Sequence, residues 1–203
     1  MNSSHHFPSW FPLAVAVLCV STVGAGAASP LASYWPCATG NTWTFKVTQL
    51  AEMGPGYTEV MKITGTYAHA GATWWALEET GERGGPLTTW YRYDAVGLLQ
   101  YTTENPTPEY ILKSPLTTGA SWVMSTGGDV AHYTITSLAA TTTVPAGTFR
   151  NCLLLTITYS APSTMKNYKL TYWWVPNKGM VRWQENSGTT IILTGVLKSC
   201  VIK

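Results

Sequence analysis

Apolar and polar residues alternate with a period of two along most of this chain, and no segment carries the apolar stripe of a long helix. In 168–174, for example, large apolar residues occupy every even position. The pattern predicts about ten to twelve strands. The candidate segments are 42–50, 57–67, 73–79, 87–94, 98–102, 109–113, 121–125, 130–137, 141–144, 152–159, 167–175, 179–185 and 189–201.

Short turn sequences separate these segments. Three share one design, a glycine three residues ahead of a tryptophan, at Gly40-Asn41-Thr42-Trp43, Gly71-Ala72-Thr73-Trp74 and Gly119-Ala120-Ser121-Trp122. We interpret each as a glycine turn leading into a strand whose tryptophan is buried. Pro145 with Gly147, and Gly179 after Asn177, predict two further structural turns. Short connections imply an all-β antiparallel meander, which we expect to curl into a half-barrel, a barrel or a two-sheet sandwich.

The amino-terminal residues have the features of a secretory signal peptide. The apolar run Phe11–Val23 is short for a membrane span, and the small residues Gly24–Ala28 follow it. We therefore expect cleavage of residues 1–28, although no Lys or Arg precedes the apolar run. Residues 29–203 have the length of a single domain, and no later segment is apolar enough to cross a membrane. The sequence thus predicts an exported protein of the periplasm, the cell surface or the medium.

Charged residues make up only 11% of the chain, and the formal net charge is +2. Such a surface offers no basic field to hold nucleic acid, so we expect no nucleic-acid partner.

Three cysteines follow the signal segment, namely Cys37, Cys152 and Cys200. An oxidising compartment favours one disulfide among them and leaves one thiol over. Strand alternation allows Cys152 to face Cys200, whereas closure of the sheet would bring Cys37 to Cys200. The sequence leaves both pairings open.

Candidate catalytic groups are few. His132 is expected on a solvent-exposed strand face and His69 in a loop, and neither has a carboxylate at a useful spacing. The acidic run Glu78-Glu79-Thr80-Gly81-Glu82, beside Arg83, is interpreted as a solvated turn rather than a calcium site or a glycosidase pair. We therefore expect no catalytic residue, no metal, no cofactor and no enzymatic activity.

Tryptophan is more abundant than one sheet face requires. In the doublets Trp74-Trp75 and Trp173-Trp174, adjacent side chains must point to opposite faces. Either both faces are covered, or Trp75, Trp90 and Trp173 form a binding surface. The leading hypothesis is a non-enzymatic envelope protein that binds an apolar small molecule or lipid, or docks onto an envelope complex as an accessory subunit. The alternative is a carbohydrate-binding module that uses exposed tryptophans.

Four motifs carry a family resemblance: Tyr34-Trp35-Pro36, Gly40-Asn41-Thr42-Trp43, Val144-Pro145-Ala146-Gly147-Thr148-Phe149 with Cys152, and Trp173-Trp174-Val175-Pro176 followed by Gly179-Met180-Val181-Arg182. In order and spacing they resemble a broad group of bacterial exported proteins and lipoproteins of uncharacterised function. The resemblance implies a curved antiparallel sheet similar to the half-barrel of periplasmic lipoprotein carriers, and no established activity. Unlike those carriers, this chain is expected to lack helices that plug the concave side. Unlike the lipoproteins, it has no lipobox.

Overall fold

The structure is a computed structural model that describes residues 30–81, 84–102, 107–126, 129–160 and 167–203. The predicted signal peptide over 1–28 lies outside the described residues, and so do Glu82 and Arg83. Among the described residues, no helix has the length and the apolar character needed to span a bilayer.

Twelve strands and one short α-helix make up the described chain, with a 3-10 turn at Ala51–Met53. The helix α1 is Pro30–Tyr34. The strands are β1 Thr42–Gln49, β2 Tyr57–His69, β3 Ala72–Gly81, β4 Gly84–Tyr93, β5 Gly97–Thr102, β6 Glu109–Lys113, β7 Ser121–Thr126, β8 Asp129–Val144, β9 Gly147–Ser160, β10 Tyr168–Val175, β11 Gly179–Ser187 and β12 Thr190–Val201. The all-β prediction is confirmed. Segments 130–137 and 141–144, predicted separately, belong to the single strand β8, whose register against β9 shifts at bulges.

All twelve strands form one antiparallel sheet in the order β6-β5-β4-β3-β2-β1-β12-β11-β10-β9-β8-β7. Each strand pairs with its sequence neighbours, except that β6 and β7 form the two edges of the sheet and do not pair. β1 also pairs with β12, so the two halves of the meander join there. The sheet curls into a nearly closed barrel, which selects one of the three predicted architectures. At the seam between β6 and β7, the Trp122 indole N–H donates to the carbonyl of Tyr110 at 2.9 Å. A side chain thus links two strands that share no hydrogen-bonded ladder there.

One end of the barrel is filled by α1 and the residue that follows it. Leu31 and Trp35 are buried, and the Trp35 ring stacks on Trp43 with centroids 4.6 Å apart. The Trp35 ring also meets Tyr91 at 5.4 Å and the edge of Trp174 at 5.2 Å. The expectation that no helix plugs the concave side was therefore wrong. A five-residue helix is too short to leave a helical period in the sequence, which is why the pattern did not predict it.

We call α1 together with Trp35 the plug of the barrel. Three of the four resemblance motifs meet at this plug. Asn41 is fully buried, and its side-chain amide donates to the carbonyl of Pro36 at 2.8 Å. The Trp43 indole N–H donates to the carbonyl of Lys178 at 2.6 Å. These hydrogen bonds join segments that are distant in sequence at one end of the barrel. The motifs therefore have a structural role.

The predicted turn glycines adopt backbone angles that favour glycine. Positive φ values occur at all five, namely Gly40, Gly71, Gly119, Gly147 and Gly179. At Gly179 (φ +86°) a Cβ would also lie 3.0 Å from the Trp43 Nε1 atom and 3.1 Å from the Trp35 ring. A side chain there would intrude on the plug. Pro145 lies in the turn between β8 and β9, where the missing N–H removes no ladder bond.

The predicted disulfide is not formed. Cys37, Cys152 and Cys200 are all free thiols, and no two of them lie within bonding distance. Cys37 hydrogen-bonds with Tyr93, Cys152 donates to the carbonyl of Phe149 at 3.6 Å, and Cys200 pairs across strands with Trp43. Sheet closure does bring β1 next to β12. Even so, Cys37 precedes β1 and does not lie within bonding distance of Cys200.

Candidate functional site

The barrel encloses a cavity made of two adjoining lobes. The larger lobe has a volume of about 370 Å³ and is lined by several rings; we call it the aromatic lobe. The smaller has a volume of about 280 Å³ and is rich in carboxyl groups; we call it the acidic lobe. The two lobes share the lining residues Met61, Glu79, Tyr172 and Met180, so they adjoin each other.

The aromatic lobe begins at the plug and follows the inward-facing positions of the strands. Trp35 forms its floor, and the wall includes Tyr91, Tyr133, Tyr172 and Trp174, interspersed with aliphatic residues such as Leu155 and Ile157. These side chains face inward because strand residues alternate between the two faces of the sheet. Sugar rings, alkyl chains and aromatic groups can all make contacts with such a wall.

The acidic lobe lies towards the opposite end of the barrel from α1. It is lined by Tyr57 and Glu59 near the start of β2, Glu79 near the end of β3, and Trp183 and Glu185 on β11. Each carboxylate continues the inward-facing series of its own strand. Glu59 alternates with the buried Met61 and Ile63, for example.

Burial changes the acidity of these carboxyl groups. Glu59 is only 3% exposed, and burial followed by the nearby charges of Glu79 and Glu185 raises its pKa to about 8. Burial also raises the pKa of Glu79 above its ordinary value. Burial is the main cause of both shifts, since a low-dielectric surrounding disfavours a carboxylate, and like charges add to it at Glu59.

The tyrosines of the wall are held neutral. Burial is the main cause that raises the pKa of Tyr91, Tyr133 and Tyr172 well above its ordinary value. The Tyr133 hydroxyl donates to a carboxylate oxygen of Glu109 at 3.4 Å, inside the aromatic lobe. These hydroxyl groups therefore act as hydrogen-bond donors at any physiological pH.

Several buried polar atoms of the lining have no hydrogen-bond partner within the described protein. They are the Glu59 Oε1 atom and the indole N–H groups of Trp35, Trp174 and Trp183. Buried polar groups are usually satisfied because an unmade hydrogen bond costs about 1–3 kcal/mol. These four atoms give the cavity lining hydrogen-bonding capacity that the described protein does not use.

The structure does not bring the three candidate tryptophans together. Trp75 is half-buried on the inner face, where its ring meets Tyr93 at 6.3 Å. Trp173 lies on the outer face of β10 beneath the Arg182 guanidinium, 4.7 Å from the ring centre. As predicted, the two members of the doublet at 173–174 point to opposite faces.

Trp90 belongs to a separate cluster on the outer face of β3 to β6. It stacks on Tyr101 with centroids 4.8 Å apart, and Tyr101 meets the buried Trp74 edge-on at 4.7 Å. Tyr67, at the rim of this outer aromatic cluster, is 50% exposed. Since β4 and β10 are six strands apart in the sheet order, Trp90 and Trp173 share no platform. The geometry gives no support to a sugar-binding platform built from the three candidates.

The remaining polar candidates lie away from the cavity, with one exception. His69 and His132 are both exposed, as expected for His132. The interpretation of 78–82 as a solvated turn was wrong for Glu79, because β3 continues to Gly81 and turns this side chain into the barrel. Glu78, its neighbour, is exposed on the outer face.

Sequence reasoning missed the carboxyl groups of the interior. The signal was present in the alternation itself, since Glu59, Glu109 and Glu185 each occupy the same strand face as their apolar neighbours two residues away. Polar residues at the inward-facing positions of a strand should have been assigned to the cavity.

Comparisons with known proteins give similarity of structure alone. Neither a protein-family model nor a curated protein matches the sequence. A predicted exported protein of Bacteroides fragilis with a YmcC-like fold is 14% identical, with a TM-score of 0.48 over 83% of this chain and 98% of its own. A predicted lipoprotein of Parabacteroides distasonis is 15% identical, with a TM-score of 0.44 over 83% and 98% of the two chains.

A third similar structure is a β-barrel-like domain of unknown function from Brucella abortus. It is 11% identical, with a TM-score of 0.42 over 81% of this chain and 98% of its own. At identities and TM-scores this low, we infer neither function nor ligand from these proteins.

Proposed function

We propose that this chain is an exported, non-enzymatic binding protein of the cell envelope whose barrel interior takes a small ligand with an apolar part. The cavity is the observation that carries the proposal. Its aromatic lobe alone, at about 370 Å³, falls within the range of about 300–1,000 Å³ of small-molecule sites. Its wall combines rings and aliphatic side chains with a few hydrogen-bonding groups, which is the usual composition of such sites.

Export is supported by the sequence of the first 28 residues, with an apolar run followed by small residues. A binding role also accounts for the polar atoms of Trp35 and Trp174, which line the aromatic lobe and have no partner in the protein. An acceptor atom along the otherwise apolar part of a ligand would satisfy them, whereas a purely structural core would place such groups against carbonyl oxygens.

The experiment is saturable binding of a neutral fluorescent apolar probe, N-phenylnaphthylamine, to the mature protein. Leu170→Trp places a larger side chain in the wall of the aromatic lobe and is expected to abolish the fluorescence increase. Val123→Trp is the matched control, because Val123 is exposed on the outer face of β7. Absence of binding by the wild type, or equal loss in both variants, would contradict an internal site.

A second role, docking onto an envelope assembly, is favoured by the outer aromatic cluster. Tyr67 is half exposed there, 6.2 Å from Trp90. Aromatic side chains of this kind are enriched at protein interfaces. Tyr67→Ser should then release the protein from a high-molecular-weight fraction of gently solubilised envelopes, with no change in probe binding. An unchanged elution profile would argue against this role.

A further inference from the structure

The charge of the cavity lining has one sign. Glu59, Glu79 and Glu185 line the acidic lobe, and Glu109 lines the aromatic lobe. No Lys, Arg or His is found among the described lining residues of either lobe. Arg92 and Arg182 instead cover Trp74 and Trp173 on the outer face of the sheet. An anionic group in the interior would therefore face carboxyl groups, with no cationic side chain among the described lining residues.

Glu59 is the carboxyl group with the clearest unused capacity. It is 3% exposed, and its Oε1 atom has no hydrogen-bond partner in the described protein. The groups that face it are Glu79 from β3, Tyr172 from β10, Glu185 from β11, and Tyr57 from its own strand. None of these can carry a positive charge. A cation among them would stabilise every carboxylate present.

Aromatic rings stand beside these carboxyl groups. Tyr57, Tyr172 and Trp183 line the acidic lobe, and Tyr172 stays neutral because burial raises its pKa. Ring faces attract organic cations, and they do so most strongly where water is excluded. Small hard metal ions prefer six or more oxygen ligands, whereas here rings and apolar side chains are interleaved with the carboxylates. The chemistry of the lobe suits an alkylammonium group.

We propose that the ligand of the barrel interior is a cationic amphiphile, with its ammonium group held by Glu59 and Glu79 in the acidic lobe and its apolar part in the aromatic lobe. The inference rests on the proposed function, since it names the class of ligand that the same cavity takes. The aromatic lobe reaches Trp35 at the plug, so the apolar part lies towards that end of the barrel.

The test compares three probes that share an octyl tail and differ in head-group charge: octyltrimethylammonium, octanol and octanoate. Isothermal titration calorimetry on the mature protein gives the affinity of each. A quaternary ammonium keeps its charge at every pH, so any pH dependence belongs to the protein. We expect octyltrimethylammonium to bind at least about tenfold more tightly than octanol, and octanoate to bind most weakly.

The pH dependence identifies the carboxyl groups. The affinity for octyltrimethylammonium should rise as pH increases through the pKa of about 8 of Glu59, because the cation binds the carboxylate and displaces its proton. The affinity for octanol should change little over the same range. This measurement uses the wild-type protein and does not depend on any variant folding.

Three variants complete the test. Glu59→Gln and Glu79→Gln should each weaken octyltrimethylammonium binding by about tenfold above that pH and leave octanol binding nearly unchanged. Glu78→Gln removes a carboxylate from the outer face of β3, next to Glu79 in sequence, and should change neither. Equal affinity for the three probes, or preference for octanoate, would overturn the cationic ligand but not the internal site. If neither these probes nor the neutral fluorescent probe binds, the proposed function fails as well.

Discussion

Glu59 and Glu79 lie diagonally across the β2–β3 ladder, because Met61 pairs with Glu79 and both carboxyl groups face the interior. Diagonal side chains on one sheet face are about 7–8 Å apart, close enough for their charges to interact. Glu79 accordingly contributes, after burial, to the raised pKa of Glu59. The barrel thus holds two like-charged groups together in a place where neither is easily ionised.

This relationship predicts that stability falls as pH rises. The pKa of a glutamate in the unfolded chain is about 4.3, whereas burial and the nearby carboxyl groups raise the pKa of Glu59 in the folded chain to about 8. Between these values the folded chain holds a proton that the unfolded chain has released. The stabilisation from Glu59 is therefore complete below the lower value and lost by the upper one, with a slope of up to about 1.4 kcal/mol per pH unit.

Urea unfolding of the wild type and of Glu59→Gln across this range measures the effect. The unfolding free energy of Glu59→Gln should fall less with rising pH than that of the wild type, because the contribution of Glu59 is absent. Glu78→Gln should keep the pH dependence of the wild type, because the carboxyl group of Glu78 is exposed. If the unfolding free energies of the wild type and Glu59→Gln depended on pH in the same way, Glu59 would not be buried as described.

Trp35 should be one of the most important residues for stability. It is buried and contacts three other rings, so Trp35→Ala is expected to reduce the free energy of unfolding by about 3–5 kcal/mol. Trp173→Ala is the matched control, since that ring is half-buried on the outer face and its loss should cost about 1 kcal/mol. A larger loss for Trp173→Ala than for Trp35→Ala, measured by urea unfolding, would contradict the packing of Trp35 described here.

Gly179 is constrained by its neighbours as well as by its backbone angles. An alanine there would be strained by the left-handed backbone conformation, and its Cβ would also lie about 3 Å from Trp43 and Trp35. Gly71 has a similar positive φ, and no atom lies within 4 Å of an added Cβ, so Gly71→Ala introduces the backbone strain alone. We expect Gly179→Ala to lower the free energy of unfolding by at least about 1 kcal/mol more than Gly71→Ala does. Equal losses in thermal unfolding would exclude a steric role for Gly179.

The three cysteines should all be free thiols in the mature protein. Alkylation in denaturant without reductant is expected to modify Cys37, Cys152 and Cys200 alike. In the native protein Cys37 should react slowly, because burial raises the pKa of its thiol to about 12 and only the thiolate is nucleophilic. Mass spectrometry counts the modified sites. A product that lacks two of the three modifications would show that two of the cysteines form a disulfide.

Local patterns predicted the strands well because alternation is a local property of the sequence. The face assignment over 168–174, for instance, matches the structure, with Leu170, Tyr172 and Trp174 all lining the cavity. The closure of the sheet was not predictable in the same way. It depends on contacts such as the one from Trp122 to Tyr110, which join strands that have no ladder between them.

The site was less predictable than the fold. Glu79 was misassigned because its acidic neighbours suggested a polar turn, although its position two residues after Leu77 places it on the inner face. The disulfide was predicted from compartment alone, and the structure gives each cysteine a different set of neighbours. The separation of Trp75, Trp90 and Trp173 onto different surfaces was not predictable for a related reason. Exposure of a ring depends on what covers the sheet, and alternation does not report that.

The most direct test of the account is a crystal structure of the mature protein with octyltrimethylammonium. The account predicts electron density for the ligand inside the barrel, with the ammonium group between Glu59, Glu79 and the Tyr172 ring and the tail directed towards Trp35. An interior filled by the protein's own side chains, with the ligand seated on the outer aromatic cluster at Trp90, would contradict it.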